Sequence, residues 1–411
     1  MTISILWLGR IIPLPLNSGD RVYSAGLIGA VARAGARVIF LGLNNPDGPT
    51  DSFGELEPQV RWQVVPGAPR STALSLLSSL PIVAARFATK EYHTAIAREL
   101  AKNAYDAVVF DQYGLGWALE DVLRLAINRP VLIHLAHDFE TEVTAKIAQN
   151  FKGNAVRKLL LGQNARKTRV IEQQLAQRCD LLVALTKYDS AAFSAINPTL
   201  QTIVLPPGYC GPKQSARTIT RSVPRRATIV GSFSWTAKQM NLQRFLEIAS
   251  LPFTKSAIEV QVIGFVPKNL LSRLRARFPW VVFRGFVDDL NQELRSARIA
   301  LVPEETGGGF KMKILDYIFG RVPVAAVDSA LHGIPDRLKS HFLIADELKG
   351  LVNKIVETID DIQRLNAMQN QAFALSQGTF NWEINGRQFM HAVQVAAVQP
   401  AAHEQRGRYS P

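Results

Sequence analysis

Short apolar runs alternate with segments of helix length along the first half of the chain. The segment Val22–Arg33 has the apolar spacing of an amphipathic helix. The runs that read as buried strands are Ile3–Leu8, Val38–Leu43, Ala107–Phe110, Val131–Leu135 and Leu181–Ala184. Strands separated by helix-length segments favour parallel βαβ units.

A second set of strands follows an interruption at Pro206-Pro207-Gly208. Its members are Ala227–Val230, Glu259–Ile263, Val281–Phe283, Ile299–Val302 and Val322–Ala326. The pattern predicts an α/β chain with two doubly wound, Rossmann-like domains. We assign residues 1–207 to the first domain, 208–226 to a basic linker and 227–377 to the second domain. Residues 378–398 are expected to form an amphipathic helix, and 399–411 a disordered tail.

Composition favours a globular protein of two domains. The chain has 411 residues, of which 47% are apolar and 20% charged. Its amino terminus lacks the basic and apolar regions of a signal peptide, and no apolar run is long enough to span a membrane. Cys179 and Cys210 are the only cysteines, and no Cys/His group has zinc spacing. We therefore expect a cytoplasmic protein without a structural disulfide or a metal site.

The formal net charge of +13 is concentrated in two acid-free stretches, Gly208–Arg226 and Val143–Ile171. An excess of positive charge favours anionic partners. The second stretch carries seven basic residues and apolar positions at Ile147, Phe151, Val156, Leu159, Leu160 and Leu161. It could lie on an anionic membrane surface, or it could be a solvated face whose leucines belong to the core. Nucleic acid is a weaker alternative, because few aromatic residues interleave the basic ones.

The segment from Pro303 to Ala326 carries the strongest chemical signal. Three consecutive glycines, Gly307, Gly308 and Gly309, follow an apolar strand and let the backbone approach a ligand closely. The segment Lys311–Phe319 reads as a helix that Gly320 ends. A helix start with nearby lysines favours a phosphate group. The alternative is a glycine-rich turn with solvated lysines.

The same segment resembles the nucleotide-sugar motif of GT-B glycosyltransferases, in particular the retaining family numbered four and its triple-glycine subgroup. Members read Gly-Gly-Gly, any residue, Arg, any residue, Lys, two apolar residues and Glu. Here Lys311 stands for the Arg, Lys313 keeps the Lys and Asp316 replaces the Glu. The resemblance implies that the glycines and both lysines bind the donor diphosphate and that Asp316 binds the ribose. A second acidic residue of many relatives would fall at Gly308, so that carboxylate is missing.

The first domain is similar to the family at two further places. The loop that usually carries a glycine pair and an arginine reads Gly19-Asp20-Arg21, which implies donor contacts from Gly19 and Arg21. The alternative is an ordinary turn with Asp20 as the helix N-cap.

The second place is a histidine-containing segment at the end of a predicted strand. His137 corresponds to a residue that contacts the donor sugar or stabilises the reacting centre, whereas His134 lies inside the strand and is expected to be a packed or surface histidine. Asp138 and Glu140 are candidates for binding acceptor hydroxyls, with helix capping as the alternative.

In the second domain, two further loops resemble donor-binding segments of the family. The first implies diphosphate contacts after the first strand of the domain, and the second implies backbone contacts to the nucleobase with an aromatic ring against it. The residues concerned are Gly231, Ser232 and Lys238 in the first loop and Gly285, Phe286 and Val287 in the second.

The resemblance covers nearly the whole chain and implies a glycosyltransferase. The expected reaction moves a sugar from a nucleoside-diphosphate-sugar to a hydroxyl acceptor, in polysaccharide or glycolipid synthesis, with retention and without a metal. His137, Lys238 and Lys311 are the expected catalytic residues, and no cofactor beyond the donor is expected. Two alternatives remain: a nucleotide-sugar epimerase on the same scaffold, and a non-catalytic nucleotide-binding partner with a decayed site.

Overall fold

The structure is a computed structural model, which describes residues 2–44 and 53–398. The chain divides into two compact units. The first contains the chain up to Gly208 together with the chain from Asn381 onward, and the second is Tyr209–Phe380. The segment 209–226 is thus part of the second unit, where the Arg217 guanidinium donates to the Arg321 carbonyl oxygen at 2.7 Å.

Within its described residues, the first unit is built on a parallel sheet of seven strands in the order β3-β2-β1-β4-β5-β6-β7. Its strands are β1 Ser4–Ile11, β2 Arg37–Leu43, β3 Arg61–Val65, β4 Ala107–Asp111, β5 Val131–Ala136, β6 Leu181–Ala184 and β7 Gln201–Val204. Its helices are α1 Gly19–Arg33, α2 Thr72–Leu76, α3 Ile82–Phe87, α4 Lys90–Lys102, α5 Leu119–Leu125, α6 Glu140–Asn150, α7 Ala155–Arg178 and α8 Lys187–Ile196. The strand order reverses between β1 and β4, and their carboxyl ends define the switch point of this unit.

The second unit repeats this design, with six parallel strands in its described residues in the order β10-β9-β8-β11-β12-β13. Its strands are β8 Arg226–Val230, β9 Glu259–Ile263, β10 Val281–Gly285, β11 Ile299–Val302, β12 Val324–Val327 and β13 Leu343–Ala345. Its helices are α9 Thr236–Lys255, α10 Lys268–Arg277, α11 Leu290–Arg295, α12 Lys313–Phe319, α13 Asp336–Lys339, α14 Leu348–Thr358 and α15 Ile362–Ser376. Its switch point lies between β8 and β11.

The final helix, α16 Trp382–Val398, packs within the first unit. The Trp382 ring meets Tyr23 of α1 edge-on, with the ring centroids 5.4 Å apart. Gly386 allows the two helices to touch, because a Cβ there would lie 2.3 Å from the Ala30 carbonyl oxygen. The expected tail, 399–411, lies outside the described residues.

The two parallel-sheet domains expected from the sequence are confirmed. Three strands that the sequence did not indicate, β3, β7 and β13, each lie at the edge of a sheet. In the described part of the chain, no helix combines the length and apolar character that a membrane span requires.

Candidate active site

At the switch point of the second unit, a glycine-rich loop follows β11. Gly307 and Gly309 have φ values of +137° and +62°, which side-chain-bearing residues rarely adopt. Asn241 of α9 fixes the start of this loop, because its side chain donates to the Thr306 carbonyl oxygen at 2.6 Å and accepts from the Thr306 amide at 3.0 Å. The backbone therefore has a defined, close-approach conformation where the sequence predicted phosphate binding.

Both predicted lysines lie at this loop. The Lys311 ammonium donates to the carbonyl oxygens of Gly308 and Gly309. The Lys313 ammonium forms an ion pair with Glu304, whose second carboxylate oxygen is buried and makes no hydrogen bond within the described residues. Helix α12 begins at Lys313, two residues later than expected, so Lys311 belongs to the loop. The positive charge of both lysines is thus held beside the glycine backbone.

Asp316 lies on α12 and is partly buried near Tyr209, whose hydroxyl donates to the Pro212 carbonyl oxygen at 3.2 Å. Burial raises the pKa of Asp316 to about 7, although the nearby Tyr209 hydroxyl opposes this shift. The Tyr209 ring stacks on Phe319 of the same helix at a centroid distance of 4.4 Å. The carboxyl group expected to bind ribose therefore ionises near neutral pH.

We expect the affinity for UDP to rise as the pH increases through about 7, because only the ionised form of Asp316 accepts two ribose hydroxyl bonds. The rise should be absent in Asp316→Asn. Titration calorimetry of both proteins across this pH range measures the difference in their affinity for UDP. The ionisation of UDP affects both proteins equally and therefore cancels in this difference. Parallel pH profiles for the two proteins would remove Asp316 from the ribose site.

The same shift has the opposite consequence for stability. Because the folded pKa exceeds the ordinary value of 3.8, the contribution of Asp316 is present below that value and is lost as the pH rises through about 7. The unfolding temperature of the wild type should therefore fall over this interval relative to that of Asp316→Asn.

The region predicted to hold a nucleobase lies after β9 and β10. Gly285 has a φ of +72° and accepts a backbone bond from the Gly264 amide at 2.7 Å. Phe286 is 69% exposed and stacks on Phe265, which is 41% exposed, at a centroid distance of 6.4 Å. Val287 follows, partly buried. Phe265 was not singled out from the sequence, although it also stands just after the end of a strand, where this topology presents functional groups.

The remaining residues of this edge are Gly231, Ser232 and Lys238. Gly231 follows β8, and a Cβ there would meet no atom closer than 3.7 Å, so the space beside it is open. The Ser232 hydroxyl lies 3.3 Å from that of Ser234. Lys238 is in the first turn of α9 and is partly buried. All three lie at the carboxyl edge of the second sheet, as the resemblance implied.

At the switch point of the first unit, Asp111 and His137 form a hydrogen-bonded pair. The His137 Nε2 atom lies 2.8 Å from Asp111 Oδ1, and the Trp7 indole donates to Asp111 Oδ2 at 3.0 Å. His137 is buried, and its ring meets the Tyr23 ring at 5.2 Å. Asp111 was missed in the sequence, although it is the last residue of a fully buried strand, A-V-V-F-D. The carboxylate fixes the orientation of the imidazole.

Asp20, the second residue of α1, lies beside Arg10. The Arg10 guanidinium lies 2.7 Å from the Asp20 carboxylate, which also accepts from the Ser18 hydroxyl. Burial alone would raise the pKa of Asp20, but Arg10, Ser18, His137 and Arg21 together lower it to about 2. Ser18, not Asp20, is the N-cap of α1, so the capping interpretation of Asp20 was wrong.

Gly19 is the first residue of α1, and the Arg21 guanidinium donates to the Asn17 side chain at 3.1 Å. Arg10, Asp20, Arg21 and Asp111 line a small cavity of about 30 Å³. Gln112 also lines it with a φ of +74°, a strained backbone conformation of the kind that gathers at functional sites.

Asp138 and Glu140 do not cap helix α6. Its first amides instead donate to the buried Glu172, from Glu140 at 3.0 Å and from Thr141 at 2.7 Å. Burial, Asp138 and Glu172 raise the pKa of Glu140 well above its ordinary value. The Asp189 carboxylate accepts a hydrogen bond from the Phe139 amide at 3.0 Å. The capping alternative was wrong for both residues.

His134 is packed in the core, as expected. Its ring meets Phe193 edge-on at 5.3 Å, and burial lowers its pKa to about 3. Among residues 2–44 and 53–398, no cluster of histidine, cysteine or acidic side chains is suited to hold a metal ion.

The chain is similar to known proteins in part of its sequence and in its fold. Residues 224–361 match the family model for glycosyl transferases group 1. Sucrose-phosphate synthase from Thermosynechococcus elongatus is 18% identical, with a TM-score of 0.73 over 97% of this chain and 100% of that chain. Anabaena HepE in complex with UDP and glucose is 16% identical, with a TM-score of 0.65 over 95% of this chain and 99% of that chain.

The glycosyltransferase WaaG, involved in lipopolysaccharide biosynthesis, is 16% identical, with a TM-score of 0.65 over 95% and 99% of the two chains. No curated protein sequence matches the chain at a significant level. Structural likeness at such identities establishes the fold, which is GT-B. The family model, which matches residues 224–361, supports the glycosyltransferase class.

Proposed function

We propose that the protein transfers a sugar from a nucleoside-diphosphate-sugar to a hydroxyl acceptor. The observation that carries the proposal is the glycine-rich loop with Lys311 and Lys313 at the switch point of the second unit. When the glycosidic bond of the donor breaks, negative charge develops on the departing diphosphate. Loop amides and ammonium groups that are already in place stabilise this charge. Lys238 at the start of α9 would add a third cation.

A uridine nucleotide is the donor class we favour. HepE, which shares the fold, was solved with UDP and glucose. In this chain the exposed Phe286 ring and the backbone of Gly285 and Val287 would receive the base.

Replacing Phe286 with alanine should weaken UDP binding roughly tenfold, because stacking of a base on an aromatic ring contributes about 1–3 kcal/mol. Phe286 is exposed, so the fold should be unaffected. Calorimetry with UDP gives the affinity, and the equally exposed Leu251→Ala is the matched control. An unchanged affinity would place the base elsewhere.

In the first unit, His137 would contact the donor sugar or stabilise the reacting centre, with Asp111 as the positioning residue that holds its ring. Gly19 and Arg21 would approach the donor from the same edge. The reaction we propose retains the anomeric configuration and needs neither a metal nor a further cofactor.

The proposed acceptor is a growing saccharide or a lipid-linked sugar, used in cell-envelope polysaccharide or glycolipid synthesis on the cytoplasmic side. Asp138 and Glu140 remain the acceptor-binding candidates. The name of WaaG, which refers to lipopolysaccharide biosynthesis, agrees with this setting. Nucleic acid is not among the proposed partners.

A second candidate function is that of a non-catalytic nucleotide-binding partner. The absence of a carboxylate at Gly308 and the engagement of Lys313 by Glu304 favour it. An epimerase would need further catalytic acids at the donor. Calorimetry with UDP and GDP, followed by a donor-hydrolysis assay, separates the three. Binding without turnover indicates the binding partner, and conversion of the donor to a new epimer indicates the epimerase.

A further inference from the structure

Two acid-free segments of the first unit meet at one surface. The segment 61–90 contains four arginine or lysine residues and no acid, and the segment 143–171 contains seven and no acid. The Lys167 ammonium on α7 donates to the Ser78 carbonyl oxygen at 2.6 Å. The Asn164 side chain accepts from the Ile82 amide at 2.8 Å. These bonds tie the α2–α3 region to α7.

Helix α7 presents one continuous exposed stripe. Its residues recur at helical spacing, which places them on one face. They are Val156, Leu159, Gln163, Arg166 and Val170, all exposed. Asn164 and Lys167 lie next to this stripe, on the side where the α2–α3 region attaches. The exposed Lys152, Arg157, Lys158 and Arg169 add charge around it.

Helix α2 contributes the most protruding apolar side chains of this surface. Leu74 is 67% exposed and Leu77 is 87% exposed. Leucines exposed to this degree are unfavourable in water, and here they stand in a segment free of acidic residues. By contrast, Ile147, which the sequence suggested for such a surface, is buried in the core.

We propose that this α2–α7 surface docks on an anionic lipid bilayer, with Leu74 and Leu77 inserted at the level of the headgroups. The arginine and lysine side chains would contact lipid phosphates, each strengthening partitioning on the order of fivefold. Charge complementarity selects an anionic surface, and the protruding leucines select a lipid surface over nucleic acid. A single-stranded nucleic acid would instead need exposed aromatic rings on which its bases stack. The proposal concerns where the enzyme works and does not depend on the donor.

The test is co-sedimentation of the full chain with phosphatidylcholine vesicles and with vesicles that also contain phosphatidylglycerol. The wild type should bind only the anionic vesicles. Leu74→Ser/Leu77→Ser should weaken this binding at least about tenfold, because two leucines lose their burial in lipid. Leu251→Ser, on the exposed face of α9, is the matched control and should bind as the wild type does.

A second comparison tests the role of charge. Arg157→Glu/Lys158→Glu changes the proposed surface, whereas the control Arg273→Glu/Arg275→Glu makes the same change in charge on α10. Only the first pair should lose vesicle binding. Solution affinity for UDP should stay unchanged in every variant, which separates a failure of docking from a failure of the proposed function. If the leucine variant loses UDP affinity, the milder Leu77→Ala replaces it.

Three results would overturn the proposal. The wild type could remain in solution with anionic vesicles at low salt. The leucine variant could bind as tightly as the wild type. Alternatively, the chain could bind duplex DNA through Arg157 and Lys158 while ignoring vesicles, which would assign the surface to nucleic acid.

Discussion

Replacing His137 with alanine is expected to lower kcat for sugar transfer by roughly a hundred- to a thousandfold, the usual loss for one preorganised group at a reacting centre. His137 is fixed by Asp111, which is itself held by Trp7, so the imidazole has a defined orientation before substrate binds. His137 is expected at the sugar and not at the diphosphate or the base, and the affinity for UDP should therefore not change.

Steady-state kinetics and calorimetry on the same preparation give both quantities. Asp111→Asn should also lower kcat, because the amide cannot accept hydrogen bonds from both His137 and Trp7. Its effect should be smaller than that of His137→Ala, since the imidazole is still present. His391→Ala, an exposed histidine on α16, is the matched control. A variant His137→Ala that keeps its kcat would exclude His137 from the reacting centre.

Replacing Lys311 with alanine is expected to weaken UDP binding roughly ten- to a hundredfold. Charge-assisted hydrogen bonds contribute about 1.5–3 kcal/mol, and the ammonium can exchange the Gly308 and Gly309 carbonyls for phosphate oxygens. The exposed Lys349→Ala removes an equal charge from α14 in the same unit and should leave the affinity unchanged.

The affinities of both variants are measured at two salt concentrations. Equal affinities for Lys311→Ala and Lys349→Ala would contradict the phosphate assignment. A loss that is equal in both variants would indicate a general effect of net charge.

The central strands were predictable because both of their faces are buried. Strands β4, β5 and β6 are buried throughout and lie inside the sheet, so a mainly apolar run marks each of them. The strands that were missed are edge strands, with one side open. Strand β3 reads R-W-Q-V-V and β7 reads Q-T-I-V, and in both the polar residues hide the pattern.

The residues of the candidate site were predictable where a local motif marks them. The glycine loop and its lysines are contiguous in sequence, and the strand-to-helix transition places them at the ligand edge. The pairing of Asp111 with His137 joins two strands, and that of Lys313 with Glu304 depends on how the loop folds back. Such contacts follow from sheet register and loop conformation, which no local pattern encodes.

Helix α6 shows the same limit. The sequence offered Asp138 and Glu140 as caps because they stand next to its start, yet Glu172 from the distant α7 takes that role. The first amides of α6 thus donate to a buried carboxylate from a distant part of the chain and not to the acids next to them in sequence.

The activity we propose for this protein is cleavage of the bond between a sugar and a nucleoside diphosphate. The most direct measurement follows the release of free UDP from UDP-sugars by the wild type and by His137→Ala, with the products separated to identify the sugar. Glycosyl transfer predicts UDP release that depends on His137 and a sugar that appears on water or on an acceptor. Tight UDP binding with no release from any donor, or conversion of the donor into its epimer, would contradict it.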